Sequence, residues 1–256
     1  DIPKSIAEKY DIEILPLTIF FGDDEYRDWI DITPSEFYER MRNTEKLPTT
    51  SLVSPDAFSK TYENYLKNYD EIISIHLSSH ASGTFNSAML ARDMVNKDKI
   101  IVIDSQNYTY GYGQFIVEAA KMANEGKHSS EIVERINYLK ENLKTLFVVD
   151  TLEYLKKGGR LSATRATIGT LLNLKPVLTV ENGKIVAIDK SRGFKKALKR
   201  IAEIIQEEGN DLKGQVIKIG HADNYEHLKI FRGIIEETFG KCEIEEFEIG
   251  CVIGVY

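Results

Sequence analysis

The chain has 256 residues, 42% of them hydrophobic and 29% charged, which is enough apolar material for a sizeable core in one large domain or two small ones. A formal net charge of -7 argues against a general nucleic-acid binder, which needs an excess of Lys and Arg, though it leaves room for a local basic patch. The two cysteines, Cys242 and Cys251, form no Cys-x-x-Cys pair and no cluster with zinc spacing, so no metal site is expected and both read as reduced thiols in a cytoplasmic protein.

No run approaches the ~20 apolar residues of a membrane span, and no signal peptide is visible. The chain opens at Asp1 rather than Met, so a preceding segment, a removed leader included, stays open.

In chain order, the candidate strands are "IEILPLTIFF", "EIISIHL", "IIVID", "TLFVVD", "KPVLTV", "KIVAI", "GQVIKIG" and "EIEEFEIG". Amphipathic stretches of helical length separate most of them. That alternation predicts βαβ units and a mainly parallel sheet. Helix starts are marked at Thr33-Pro34 with Glu36, a capping box, and at Ser54-Pro55. A stripe through Leu198, Ile201, Ile204 and Ile205 predicts a further helix that stops at Gly209. "VLTVENGKIVAI" joins two apolar runs through Asn182-Gly183, the strongest short hairpin signal. A hairpin after several βα units predicts a second domain of different construction. The division is expected within Lys144–Val149, giving residues 1–146 as an N-terminal α/β domain with a parallel sheet and 147–256 as a C-terminal α/β domain with a mixed sheet.

Two hydroxyl-rich stretches each precede a helix: "LPTTSLVSPDAF", with Thr49, Thr50, Ser51 and Ser54, and "HLSSHASGTF", with Ser82, Gly83 and Thr84. A helix N-terminus at the carboxyl edge of a parallel sheet offers free N–H groups and a favourable dipole to an anion. Gly83 would let a ligand approach the backbone. The plainer reading is an ordinary N-cap. Loops at one edge of an α/β sheet converge, so two such clusters would line one polar pocket. In "DTLEYLKKGGRLSATRATIG", Arg160 could offer a planar guanidinium to a carboxylate or phosphate, whereas Lys156, Lys157 and Arg165 read as solvated. Lys190, Arg192, Lys195 and Lys196 read as a solvated basic face, with partner docking as the second reading.

Several signatures are missing: the nucleotide phosphate loop, the third glycine of a dinucleotide fingerprint in "GYGQFI", and the Gly-x-Ser-x-Gly elbow. His76 reads as a strand residue at the sheet edge. His80 and His221 read as structural or surface histidines, so a serine nucleophile has no clear base.

Taken in order, "LPTTSLVSPDAF", "HLSSHASGTFNSA", "DTLEYLKKGGRLS", "LLNLKPVLTVENGKI" and "SRGFKKAL" resemble the DegV family of bacterial fatty-acid-binding proteins over nearly the whole chain. The resemblance implies a two-domain α/β fold with an acyl chain buried between the domains and its carboxyl near the Ser/Thr clusters. It implies the carrier half of a fatty acid kinase: a separate ATP-binding kinase subunit phosphorylates the carboxylate, and the acyl phosphate feeds phospholipid synthesis. Carried over by motif, Thr50 and Ser82 contact the carboxylate. Arg160 faces the same end and matters for phosphotransfer or partner docking. Gly83 and Thr84 join them on the helix N-terminus argument alone.

The chain departs from the family at both ends. Of the usual opening strand and Thr-Asp-Ser-rich loop only "DIP" is present, and in "EIGCVIGVY" Tyr256 stands where the family has a His. Tyrosine keeps a hydrogen-bonding tip but does not titrate near neutral pH, so Tyr256 is expected to orient the carboxyl headgroup rather than act as a base.

The expectation is therefore a cytoplasmic lipid carrier without enzymatic activity of its own. Its ligand is a long-chain fatty acid, it needs no further cofactor, it is a monomer, and transient membrane contact is open. Two other classes compete: a phosphotransferase or hydrolase using Ser82 or Thr84 with His80 or His221 as base, and a small-anion sensor signalling through the basic face around Arg192.

Overall fold

A computed structural model describes residues 1–161, 174–208 and 214–256. Arg165 and the helix stop expected at Gly209 lie outside the described residues. The chain forms two compact units, one of Asp1–Leu143 with Gly250–Val255, the other of Lys144–Ile249 with Tyr256.

The first unit opens with α1 (Lys4–Lys9), β1 (Thr18–Phe21), β2 (Asp24–Arg27), α2 (Pro34–Arg42), β3 (Thr49–Ser51) and α3 (Pro55–Tyr65). It continues with β4 (Ile72–His76), α4 (Thr84–Val95), β5 (Ile100–Asp104), α5 (Thr109–Asn124) and α6 (Ser129–Asn142). The expected helix starts are present: Thr33 and Glu36 form a reciprocal capping box, and the Ser54 hydroxyl accepts from the Ala57 N–H at 3.2 Å.

The strands β4 and β5 pair in parallel, His76 beside Asp104. Period-2 alternation divides their side chains between two faces. Ile72, Ile100 and Val102 pack with Val53, Phe58, Tyr62, Ala88 and Ala91 from the α3 and α4 side. Ile73, Ile75, Ile101 and Ile103 pack with Phe115, Ala119, Ile132 and Ile136 of α5 and α6. Burying both faces is why these strands read as unbroken apolar runs.

The run "IEILPLTIFF" is a strand only over Thr18–Phe21, and β1 pairs antiparallel with β2 and β3. The parallel pairing expected throughout this unit is thus confined, among the described residues, to β4 and β5. Both β2 and β3 escape the sequence reading because "DEYR" and "TTS" carry no apolar alternation; their ladder partner β1 supplies the apolar side.

In the second unit, β6 (Leu146–Val148), α7 (Glu153–Lys157), β7 (Leu174–Glu181) and β8 (Lys184–Arg192) are followed by α8 (Phe194–Glu207). After these come β9 (Val216–His221), α9 (Tyr225–Phe239) and β10 (Glu243–Glu248). The order β6-β7-β8 is antiparallel, and β9 and β10 are parallel. The β7–β8 turn is the Asn182-Gly183 pair, with φ of 50° and 75°. One side of α8 packs Ala197, Ile201 and Ile204 onto Val177, and Leu198 and Ala202 pack with Ile219 and Leu228.

The chain then re-enters the first unit as α10 (Cys251–Gly254), which packs on α2 and β1. The free N–H groups at its start are satisfied by carboxylates. Gly250 donates to Asp1 Oδ1 at 2.8 Å, Cys251 to Asp28 Oδ1 at 3.2 Å and Val252 to Asp28 Oδ2 at 3.4 Å.

Candidate functional site

The stretch after β4 is ordered by its own serines. Ser78 is fully buried; its hydroxyl accepts from the His80 N–H at 3.2 Å and its carbonyl accepts from Ala81 and Ser82. Asp104 Oδ1 accepts from the Ser79 N–H at 3.2 Å. Ser78 and Ser79 therefore shape the loop. At its end Ser82 and Thr84 share a hydrogen bond of 2.9 Å, and the Thr84 N–H donates to Ser82 Oγ at 3.2 Å. They sit at the start of α4, whose N-cap, Gly83, supplies no side-chain cap.

The second hydroxyl stretch reaches the same turn. Leu52, directly after β3, lies on Gly83: a Cβ built there would stand 2.9 Å from Leu52 Cδ2. Leu52 therefore lines the side of Gly83 toward which a Cβ would project. That contact brings the segment carrying Thr50, itself half-buried and paired with Ile19 in the ladder, beside Ser82 and Thr84. The four residues Thr50, Ser82, Gly83 and Thr84 belong to the first unit.

Arg160 and Tyr256 belong to the second unit and meet there. The Arg160 guanidinium carbon lies 4.5 Å from the centroid of the Tyr256 ring, and its Nη1 donates to the Gly158 carbonyl. The two glycines before Arg160 do different things. A Cβ on Gly158 would collide with the Tyr256 ring at 2.3 Å, so its absence admits the ring. Gly159, at φ 71°, closes α7 in the left-handed region, and the Arg160 N–H then reaches the Leu155 carbonyl at 3.0 Å. Lys156 and Lys157 are exposed, as are Lys190, Arg192, Lys195 and Lys196.

Among the described residues, the hydrogen bonds of the Ser82 and Thr84 side chains include no histidine. His80 is exposed, and His221 Nδ1 accepts from the Asn224 N–H at 3.3 Å. Sequence reading missed a buried polar chain on β4: Tyr62 donates to Ser74 Oγ at 2.8 Å, and Ser74 Oγ shares a 2.8 Å hydrogen bond with His76 Nε2. Burial lowers the His76 pKa from 6.5 to about 4, against a smaller opposing pull from Asp104. Burial likewise pushes Tyr62 up to about 12.

A cavity of about 480 Å³ runs along β4 within the first unit, lined by Phe58 and Tyr62 of α3, by Tyr112 and Ile116 of α5, and by the β4 backbone from Ile72 to His76. Among the described residues no group of three or more His, Cys, Asp or Glu could hold a metal ion, and no helix is long and apolar enough to cross a membrane.

The family model described as "Uncharacterised protein, DegV family" matches residues 1–256. The chain belongs to the DegV family. A DegV domain-containing protein of Caldanaerobacter subterraneus subsp. tengcongensis is 39% identical over 256 residues, which are 100% of this chain and 91% of that protein. The crystal structure of DegV from Bacillus subtilis, a fatty acid binding protein, superposes with a TM-score of 0.88 at 35% identity, over 99% of this chain and 90% of that one. A stearic acid-binding protein from Eubacterium ventriosum gives a TM-score of 0.88 at 28% identity, over 100% and 90% of the two chains. The DegV fold, with parallel and antiparallel pairings side by side, is therefore the fold of this chain.

Proposed function

We propose that this chain binds a long-chain fatty acid and presents its carboxylate to a separate ATP-binding kinase subunit, which converts it to an acyl phosphate for phospholipid synthesis. What supports this reading most is the meeting of the two hydroxyl stretches at Leu52 and Gly83, beside the hydrogen-bonded pair Ser82 and Thr84, in a chain whose DegV relatives bind fatty acids. Thr50, Ser82 and Thr84 hold the carboxyl through neutral donors, with the α4 N-terminus at Gly83 adding its dipole. Neutral donors leave a carboxylate oxygen free to react. That oxygen attacks the γ-phosphorus of ATP held by the partner, the bond from that phosphorus to the bridging oxygen breaks, and ADP leaves.

Arg160 stabilises the charge on the transferring group or docks the partner. Its guanidinium carbon lies 4.5 Å from the Tyr256 ring centroid, a cation–π contact. The Tyr256 hydroxyl orients the headgroup on this reading. A tail gains ~0.8 kcal/mol per buried CH₂, which offsets desolvation of the headgroup. The chain needs no cofactor of its own on this reading. It works as a cytoplasmic monomer that meets the membrane transiently, and the ATP chemistry resides in the partner. Using Ser82 or Thr84 as a nucleophile has little support, since their hydroxyls bond each other and His80 is exposed.

Calorimetric titration of palmitate into the full chain tests the reading. Ser82→Ala and Thr50→Val are each expected to weaken binding about tenfold, the cost of one lost hydrogen bond near a charge. With ATP and the kinase subunit, acyl phosphate forms only when both proteins are present, and Arg160→Ala lowers that rate more than it lowers affinity. Acyl phosphate made by this chain alone would contradict the carrier role.

A further inference from the structure

Leu52 is 42% exposed, and its Cδ2 lies 2.9 Å from where a Cβ of Gly83 would stand. A scattered exposed leucine is ordinary. This one is set on the turn that carries the hydroxyl pair, with Ser82 on one side of Gly83 and Thr84 on the other. It comes directly after β3, two residues beyond Thr50. A half-open apolar side chain thus lies against the turn that carries the Ser82–Thr84 pair, with Thr84 itself buried. Water gains nothing from it, and a small hydrated anion would have to give up part of its shell to sit beside it. A carboxyl that carries methylenes fits both halves at once.

We infer that Leu52 is the apolar lip of the carboxyl subsite. It packs against the first methylenes of the bound acid, so the site takes an aliphatic carboxylate and rejects a small hydrated anion such as inorganic phosphate. Gly83 lets the tip of Leu52 lie close, and a Cβ there would push that tip aside. This rests on the carrier reading above and deepens it, by naming what distinguishes the ligand at its head end.

Palmitate titration of the full chain tests the inference with Leu52→Ala, Leu52→Gln, Leu52→Met and Gly83→Ala. The first two are expected to weaken binding about tenfold, from the loss of one apolar contact at the lip, and Leu52→Met recovers most of it. Gly83→Ala weakens binding too, and the Leu52→Ala/Gly83→Ala double variant is no weaker than the worse single one, because both act through one side chain. The step in affinity between myristate and palmitate stays the same in wild type and Leu52→Ala, since the lip touches only the head end; a merely unfolded variant would lose that step. Inorganic phosphate does not compete in the wild type and begins to compete in Leu52→Gln.

Palmitate binding by Leu52→Ala and Leu52→Gln within twofold of wild type overturns the inference while leaving the carrier reading intact. A wild-type chain that takes up no palmitate overturns the carrier reading and this inference with it.

Discussion

His76 carries a pH dependence that its position on β4 dictates. The folded chain holds the ring neutral down to about 4, whereas an ordinary histidine gains its proton near 6.5. As pH falls through that window the unfolded chain takes up the proton first, so stability is full above 6.5 and declines toward 4. Between about pH 7.5 and pH 5 the loss comes to ~2 kcal/mol, at 1.36 kcal/mol per pKa unit. Urea midpoints at the two pH values would read it, and His76→Gln, which cannot titrate, flattens the difference. A wild type equally stable at both would contradict the burial argument.

Tyr256 separates two contributions of one side chain. Its ring faces Arg160, and its hydroxyl orients the headgroup only on the proposed reading. Tyr256→Phe keeps the ring and is expected to lose affinity by about fivefold with phosphotransfer from the bound state preserved; Tyr256→Ala loses both, as the guanidinium loses its brace. Full affinity and full phosphotransfer in Tyr256→Phe would remove the hydroxyl from the site. At this scale the sequence was readable where a residue type announces its work. Ser82-Gly83-Thr84 reads as a helix start, and Gly-Gly-Arg as a turn with a cation. Leu52 was not readable, because one apolar residue in a hydroxyl-rich loop has no pattern. The Tyr62–Ser74–His76 chain was hidden because its members come from two elements whose packing no local signal records.

The elements divide in the same way. The Asn182-Gly183 turn between β7 and β8 was legible because both residues tolerate positive φ, and both adopt it. Gly183→Ala would place a Cβ at φ 75° and is expected to cost ~1 kcal/mol in thermal or urea unfolding, while Gly183→Asn costs less. Helix α10 was not legible. Four residues make no periodic stripe, and its start is fixed from afar by Asp28, whose two oxygens accept from Cys251 and Val252. Asp28→Ala leaves those donors unmet; the expected loss is ~1–2 kcal/mol, with faster amide exchange at Cys251 and Val252 than at α4. Unchanged exchange there would show that the carboxylate does not hold the helix. The strands β2 and β3 were missed for a related reason, since short polar strands are defined by their ladder partner and not by their own composition.

For the whole molecule, the fold class was legible because five motifs fall in one order across the chain, a constraint far stronger than any one of them. The extent of antiparallel pairing in the first unit was not, since strand direction depends on which strand lies alongside. On the proposed reading the chain holds an acyl chain, and most of the energy of association lies in the tail. The most direct measurement is mass spectrometry of the intact purified protein under native conditions, followed by analysis of its organic extract. The account predicts a mass increment of one long-chain fatty acid per chain and the matching acid in the extract. Protein free of acyl lipid, and still free of it after incubation with palmitate, would contradict it.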